Sequence, residues 1–162
     1  MQRAIDILER LVSFASVSAR SNLDVIQWIR DYLADHEVRS ELVPAPDGQP
    51  KANLWASIGP DAPGGLVLSG HTDVVPVVGQ NWSVPAFQLT RRAGCLYGRG
   101  TADMKGFVAC ALAAFLKAAD RTLKTPLHLA LSYDEEIGCV GVRSMLEKLR
   151  DGPIKPLMCI VG

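Results

Sequence analysis

The chain has no surplus of either charge, since 17 Lys plus Arg stand against 17 Asp plus Glu, and it therefore lacks the basic field that nucleic acid binding draws on. It contains no run of about 18 apolar residues, which excludes a membrane-spanning helix. Arg3, Asp6, Glu9, Arg10 and Arg20 interrupt the first twenty residues and leave no apolar core for a secretory signal, so the expected location is the cytoplasm. Cys95, Cys110, Cys139 and Cys159 form no C-x-x-C pair, which argues against a zinc knuckle or a dithiol redox motif; four buried, reduced thiols are expected. There is no G-x-S-x-G elbow to carry a serine nucleophile. "GRGTAD" puts Asp103 where a dinucleotide loop needs its last glycine, and Lys105 is followed by Gly106 where a phosphate loop needs Ser or Thr.

What the chain does have is 48% hydrophobic residues in 162, enough for one sizeable core. Residues 2–16 place Ile5, Leu8, Leu11, Val12 and Ala15 at helical spacing, and Asn22 is positioned to cap a second helix through Val25, Ile26, Ile29, Tyr32 and Leu33. "SELVPA", "ANLWASI" and "GGLVLSG" read as strands, "FQLTRRAGCLYGRG" as a short hairpin, and the Ala/Leu-rich stretch 105–119 as a buried helix. "PLHLALS" reads as another buried strand, 141–150 as a helix, and "PLMCIVG" as a last strand. Alternating strands and helices predict an α/β fold, three-layer αβα, around a mainly parallel mixed sheet. His128 alternates within its strand as a core histidine would, and His36 sits near a helix end where the dipole favours it.

One stretch breaks the apolar pattern. In "LVLSGHTDVVPVVG" a buried strand gives way to Gly70, His71, Thr72 and Asp73 before apolar residues resume. On an extended backbone residues i and i+2 point the same way, so His71 and Asp73 address one spot past the strand end. A metal-bound imidazole commonly has its other ring N–H held by a carboxylate, which suits His71 as ligand and Asp73 as its orienter. Downstream, Asp103 in "GRGTADMKG" and the pair Glu135 and Glu136 fall in loops between core elements. Each of these motifs alone is ordinary for a solvated loop. In an open α/β sheet, however, loops at the carboxyl ends of parallel strands converge on one crevice. Four carboxylates and an imidazole gathered there would repel one another unless a divalent cation neutralised them.

"SGHTDVVPV", "YGRGTADMKG" and "YDEEIGCVG" resemble, in order and spacing, the signatures of the dizinc amidohydrolase and exopeptidase family of aminoacylases, succinyl-diaminopimelate desuccinylases and acetylornithine deacetylases, with the last nearest in wording. The resemblance covers essentially the whole chain. It implies a zinc-exopeptidase-like fold and two zinc ions, with cobalt as a substitute. His71 would bind one zinc, Asp103 bridge both, Glu136 bind the second, Glu135 act as general base and Asp73 orient His71. A cis peptide bond between Asp103 and Met104 is implied as well. The implied reaction is hydrolysis of the amide bond of an N-acyl amino acid, foremost N-acetylornithine to ornithine and acetate in arginine biosynthesis. The desuccinylase, aminoacylase and dipeptidase reactions of the same family are the alternatives. The partner is then a small molecule, and neither nucleic acid nor a membrane is expected.

The resemblance also marks departures. Val78 stands where an acidic residue is expected before the glycine, and "SVPAF" lacks the aspartate that related deacetylases tend to keep there. Family members continue past the strand resembling "MCIVG" into a further acidic ligand, a lid and dimerisation domain, and a distant histidine ligand. Residues 1–162, ending on apolar Cys159, Ile160, Val161 and Gly162, are therefore expected to be a truncated catalytic domain, its N-terminal part without the lid or C-terminal part. Each zinc would lack one protein ligand, so the chain alone is expected to be catalytically silent, with a homodimer reserved for the full-length protein.

Overall fold

The computed structural model describes every residue from Met1 to Gly162. Two amphipathic helices come first: α1 (Gln2–Ser13) buries Ile7, Leu8, Leu11 and Val12, and α2 (Leu23–Ala34) buries Val25, Ile26, Ile29 and Leu33. The helical pattern reads on to residue 16, yet α1 stops at Ser13 because the next residues are needed in extended form. Ser16 Oγ donates to the Thr72 carbonyl at 2.6 Å, Val17 forms a bridge with Val74, and Ser18 N–H donates to the Val74 carbonyl. Asn22 sits at the N-cap of α2, but its side chain caps nothing. Its Nδ2 donates to the Ala52 carbonyl and to Thr72 Oγ1, and its Oδ1 accepts the Ala52 N–H, tying the helix start to the sheet.

The sheet contains β1 (Ser40–Pro44), β2 (Ala52–Ile58), β3 (Leu66–His71), β6 (Leu127–Ser132) and β7 (Met158–Val161) in the order β1-β2-β6-β3-β7. A separate hairpin, β4 (Thr90–Arg92) and β5 (Cys95–Tyr97), precedes α3 (Lys105–Ala119), and α4 (Val142–Asp151) follows β6. The sheet is mixed: β1 and β6 run antiparallel to β2, while β3 runs parallel to both β6 and β7. Side-chain alternation along the strands splits the core into two layers. Leu54, Ala56, Leu129 and Leu131 join the cluster formed with α1, α2 and α3, whereas Trp55, Val67 and Ala130 face the other way and pack with Met145 of α4. This is the expected three-layer αβα arrangement. His128 is a buried core histidine, its Nδ1 2.8 Å from Ser57 Oγ and its ring stacked on Trp55. No helix is long and apolar enough to cross a membrane.

The expectation of four buried thiols is corrected: all four cysteines are free and exposed. The reason is positional. Cys110 shares an outward stripe of α3 with Ala114 and Lys117, Cys95 lies in the hairpin, Cys139 in a loop, and Cys159 on the exposed strand β7. Lys105, by contrast, is 1% exposed despite its charge. Its ammonium donates to the Leu11 carbonyl at 2.9 Å, which also accepts the Phe14 N–H, and to the Phe14 carbonyl at 2.8 Å, just past the end of α1. Gly106 beside it is required by packing, because a Cβ there would sit 2.3 Å from the Thr101 carbonyl oxygen. Replacing Lys105 by Met should cost about 1–3 kcal/mol by leaving the Phe14 carbonyl without its donor. Urea unfolding is the check, and an unchanged midpoint would contradict the role.

Candidate metal centre

His71 is the last residue of β3 and lies opposite Ser132, the last residue of β6, on the neighbouring parallel strand. The loops that follow both strands therefore start side by side. In β3, His71 is 3% exposed and its Nδ1 lies 2.9 Å from the carbonyl oxygen of Asp73 and 3.4 Å from Asp73 Oδ1. The nearest group orienting the ring is thus the main-chain carbonyl of Asp73, with its carboxylate behind. Thr72 points away between them, its hydroxyl donating to the Ser132 carbonyl. The opposite ring nitrogen, Nε2, lies 3.2 Å from Asp103 Oδ1 and 3.6 Å from Glu135 Oε2. Asp103 precedes α3 through a cis peptide bond to Met104, as the resemblance implies.

Asp73 is 2% exposed, and its carboxylate gathers the neighbouring loops. It accepts hydrogen bonds from the Ser18 hydroxyl at 2.7 Å, from the Glu135 N–H at 3.1 Å and from the Glu136 N–H at 3.3 Å. The acidic loop is held from its other side by Asp134, which accepts the Ala19 N–H and forms a buried ion pair with Lys51. Cys139 donates its thiol to Glu135 Oε1 at 3.3 Å. Sequence reasoning missed Ser18, Lys51, Asp134 and Cys139. Only Asp134 carried a signal, as the third member of an acidic run.

His71, Asp103 and Glu136 offer ligand atoms that all lie within 4.8 Å of one another, while Asp103 and Glu135 stay open to solvent. An imidazole with carboxylates is a donor set suited to zinc and other divalent ions. The electrostatics agree. Burial alone would lower the pKa of His71, but the hydrogen bond and charge of Asp73, aided by Asp103, raise it to about 9. Burial alone would raise that of Asp73, but His71, Ser18 and the Glu135 N–H hold it below the usual carboxylate range. Glu136 is pushed up, first by burial and then by the charge of Asp103. The pocket is short of positive charge, and a metal would supply it.

Residues 67–162 match the model of peptidase family M20/M25/M40. The chain belongs to this family. Over 98% of its length it is 38% identical to the acetylornithine deacetylase of Shigella sonnei (strain Ss046), of which it covers 42%. Among solved structures, human carnosine dipeptidase 1 matches 93% of the chain with a TM-score of 0.78 and 26% identity, the chain covering 36% of that protein. The M20 family metallo-carboxypeptidase Sso-CP2 of Sulfolobus solfataricus matches 99% with a TM-score of 0.85, and 37% of that protein is covered; at 24% identity this likeness shows the fold. The chain thus spans less than half the length of these M20 relatives.

A metal needs the neutral imidazole, so binding must displace the proton that His71 holds up to about pH 9. Between the ordinary histidine pKa and that value, apparent Zn²⁺ affinity should rise about tenfold per pH unit. Calorimetric titration in buffers of different ionisation enthalpy should report a released proton at neutral pH. An affinity flat with pH and without proton release would count against His71 as ligand.

Proposed function

We propose that this chain carries the amide-hydrolysing centre of a divalent-metal enzyme that acts on N-acyl amino acids, with N-acetylornithine as its first substrate. The observation that carries the reading is the convergence of His71, Asp103 and Glu136 from three separate segments, with Glu135 beside them. Identity of 38% to an acetylornithine deacetylase supports the choice of substrate. We assign His71 to one zinc, Asp103 to both and Glu136 to the second, with cobalt as a substitute. Such ions supply Lewis acidity and bring the pKa of water toward neutrality.

The chain's own residues do the rest. Glu135 is not required as a ligand; its N–H is pinned by Asp73, and its carboxylate is left to accept a proton from water and return it to the departing amine nitrogen. An amine cannot leave as an anion, so that returned proton lets the bond break. Asp73 fixes the ring of His71 through its carbonyl and carboxylate, leaving Nε2 facing Asp103. Acetate and ornithine result, a step of arginine biosynthesis. Two ligands per metal fall short of the three protein ligands usual at a catalytic zinc. We assign the missing ligands, the lid and a homodimer interface to the part of the polypeptide corresponding to the rest of the relatives' length, and residues 1–162 to the N-terminal part of the catalytic domain. Four exposed, unpaired thiols suit the reducing cytoplasm. Dipeptide hydrolysis is the second reading, favoured by the likeness to human carnosine dipeptidase 1.

Ninhydrin assay of ornithine released from N-acetylornithine by the zinc-loaded full-length protein tests the reaction, and turnover of dipeptides alone would shift it to the second reading. In that protein Glu135→Gln should keep its zinc and lose roughly 100-fold to 10,000-fold in rate, the range for losing a general base. Glu136→Gln should lose zinc itself. Equal zinc loss in both variants would contradict the division of roles.

A further inference from the structure

Next to the metal ligands lies a second cleft of about 340 Å³, lined by Trp82, Tyr97, Arg99 and Thr101, which shares Asp103 and Glu136 with the metal centre. Arg99 is the only cation in its wall. Its guanidinium carbon sits 4.9 Å from the centroid of the Trp82 ring, and its Nη2 donates to Gln80 Oε1. The Trp82 indole N–H donates to that same oxygen at 3.1 Å, so Trp82, Gln80 and Arg99 brace one another. The brace leaves the charge unanswered. No carboxylate forms an ion pair with Arg99, and its Nε is buried without a hydrogen-bond partner.

A guanidinium fixed in plane by an aromatic face and an amide, yet lacking an anion, is prepared for a carboxylate. The chemistry of the proposed substrate puts one there. In an N-acyl amino acid the scissile nitrogen is bonded to the carbon that bears the α-carboxylate, two bonds of about 1.5 Å each from nitrogen to carboxylate carbon. A substrate that brings its amide to Asp103 and Glu136 must place this carboxylate in the space adjoining them. With those two side chains neutralised by metal, Arg99 is the cation in this wall placed to receive it. We propose that Arg99, held by Trp82 and Gln80, binds the free α-carboxylate of the substrate and so selects N-acyl amino acids over their carboxyl-blocked analogues. This rests on the amide-hydrolase reading above and adds the residue that sets substrate class.

The test compares N-acetylornithine with its carboxamide on the zinc-loaded full-length protein. Arg99→Gln should raise KM for the free acid roughly 10-fold to 100-fold, as loss of a charged hydrogen-bonded contact does, and leave kcat/KM for the carboxamide within about twofold. Arg99→Lys should recover part of the preference, keeping the charge without the fork. An unchanged acid-to-amide ratio in Arg99→Gln overturns the proposal, and so does equal loss on both substrates, which is what a brace alone would give. A second arm needs no turnover: 4-oxopentanoate, the CH₂-for-NH counterpart of N-acetylglycine, should bind the protein better than 4-oxopentanamide, and Arg99→Gln should erase the difference. Arg99-dependent binding without hydrolysis of any N-acyl amino acid would sink the reaction and uphold the carboxylate site. Hydrolysis with an Arg99-independent preference for the acid would do the reverse.

Discussion

The carboxylate of Asp73 is nearly sealed from solvent and accepts hydrogen bonds from the Ser18 hydroxyl and from the main-chain N–H groups of Glu135 and Glu136. Removing a carboxylate from water costs several kcal/mol unless its lone pairs are met. Here they are met by segments lying 55 residues before and 62 and 63 residues after it in the chain. The same desolvation that makes the group expensive makes each contact strong, so the loops after α1 and after β6 are drawn to the end of β3. Glu135 and Glu136 are neighbours on one loop, and pinning both of their N–H groups to one carboxylate fixes where their side chains start. His71 is oriented by the residue that pins them.

This arrangement depends on topology. Because β3 and β6 are adjacent and parallel, His71 and the acidic loop leave the sheet at the same end. An antiparallel pairing would have put them at opposite ends. The Asp103 loop arrives from a different direction, and its position is set at the start of α3, where Lys105 reaches under the end of α1 to Leu11 and Phe14. A buried ammonium answering main-chain carbonyls thus joins the third candidate ligand, Asp103, to the helical layer. The Lys51–Asp134 ion pair, also buried, completes the clamp on the acidic loop from the start of β2.

Some of this was legible in the sequence and some was not, for physical reasons. β2 and α3 are read at their observed bounds, since a short, mostly apolar segment between turn signals suits a strand and a long Ala/Leu-rich stretch suits a helix. The last turn expected for α1 fails because its residues have the right pattern but a better use, pairing with Thr72 and Val74. Asn22 has capping chemistry, yet it spends its amide on Ala52 and Thr72. Cysteine is a small hydrophobe, which is why burial is expected, but Cys110 falls on the face of α3 that carries Lys117, and position overrides composition. The acidic and imidazole groups of the candidate site stand out because their types are unusual between buried elements. Ser18, Lys51 and Arg99 do not, because nothing local distinguishes a serine, lysine or arginine that is matched only by a distant partner.

The charge balance of the crevice explains why its parts have the surroundings they do. Asp73 is kept ionised by a closed shell of donors and therefore needs nothing from solvent or ligand. Asp103 and Glu135 remain open, and Glu136 is raised by burial and by its neighbour's charge, so the outer acids are the ones left in want of a cation. His71 bridges the two groups, with one nitrogen toward the satisfied aspartate and the other toward the unsatisfied ones. A proton on His71 partly answers the negative charge, but it occupies the nitrogen that a metal would need. Divalent ions answer it more fully, because they neutralise several carboxylates at once and leave the imidazole neutral. A crevice so neutralised would no longer repel an anion, and the one cation in the adjoining wall is Arg99, the residue proposed to receive a carboxylate.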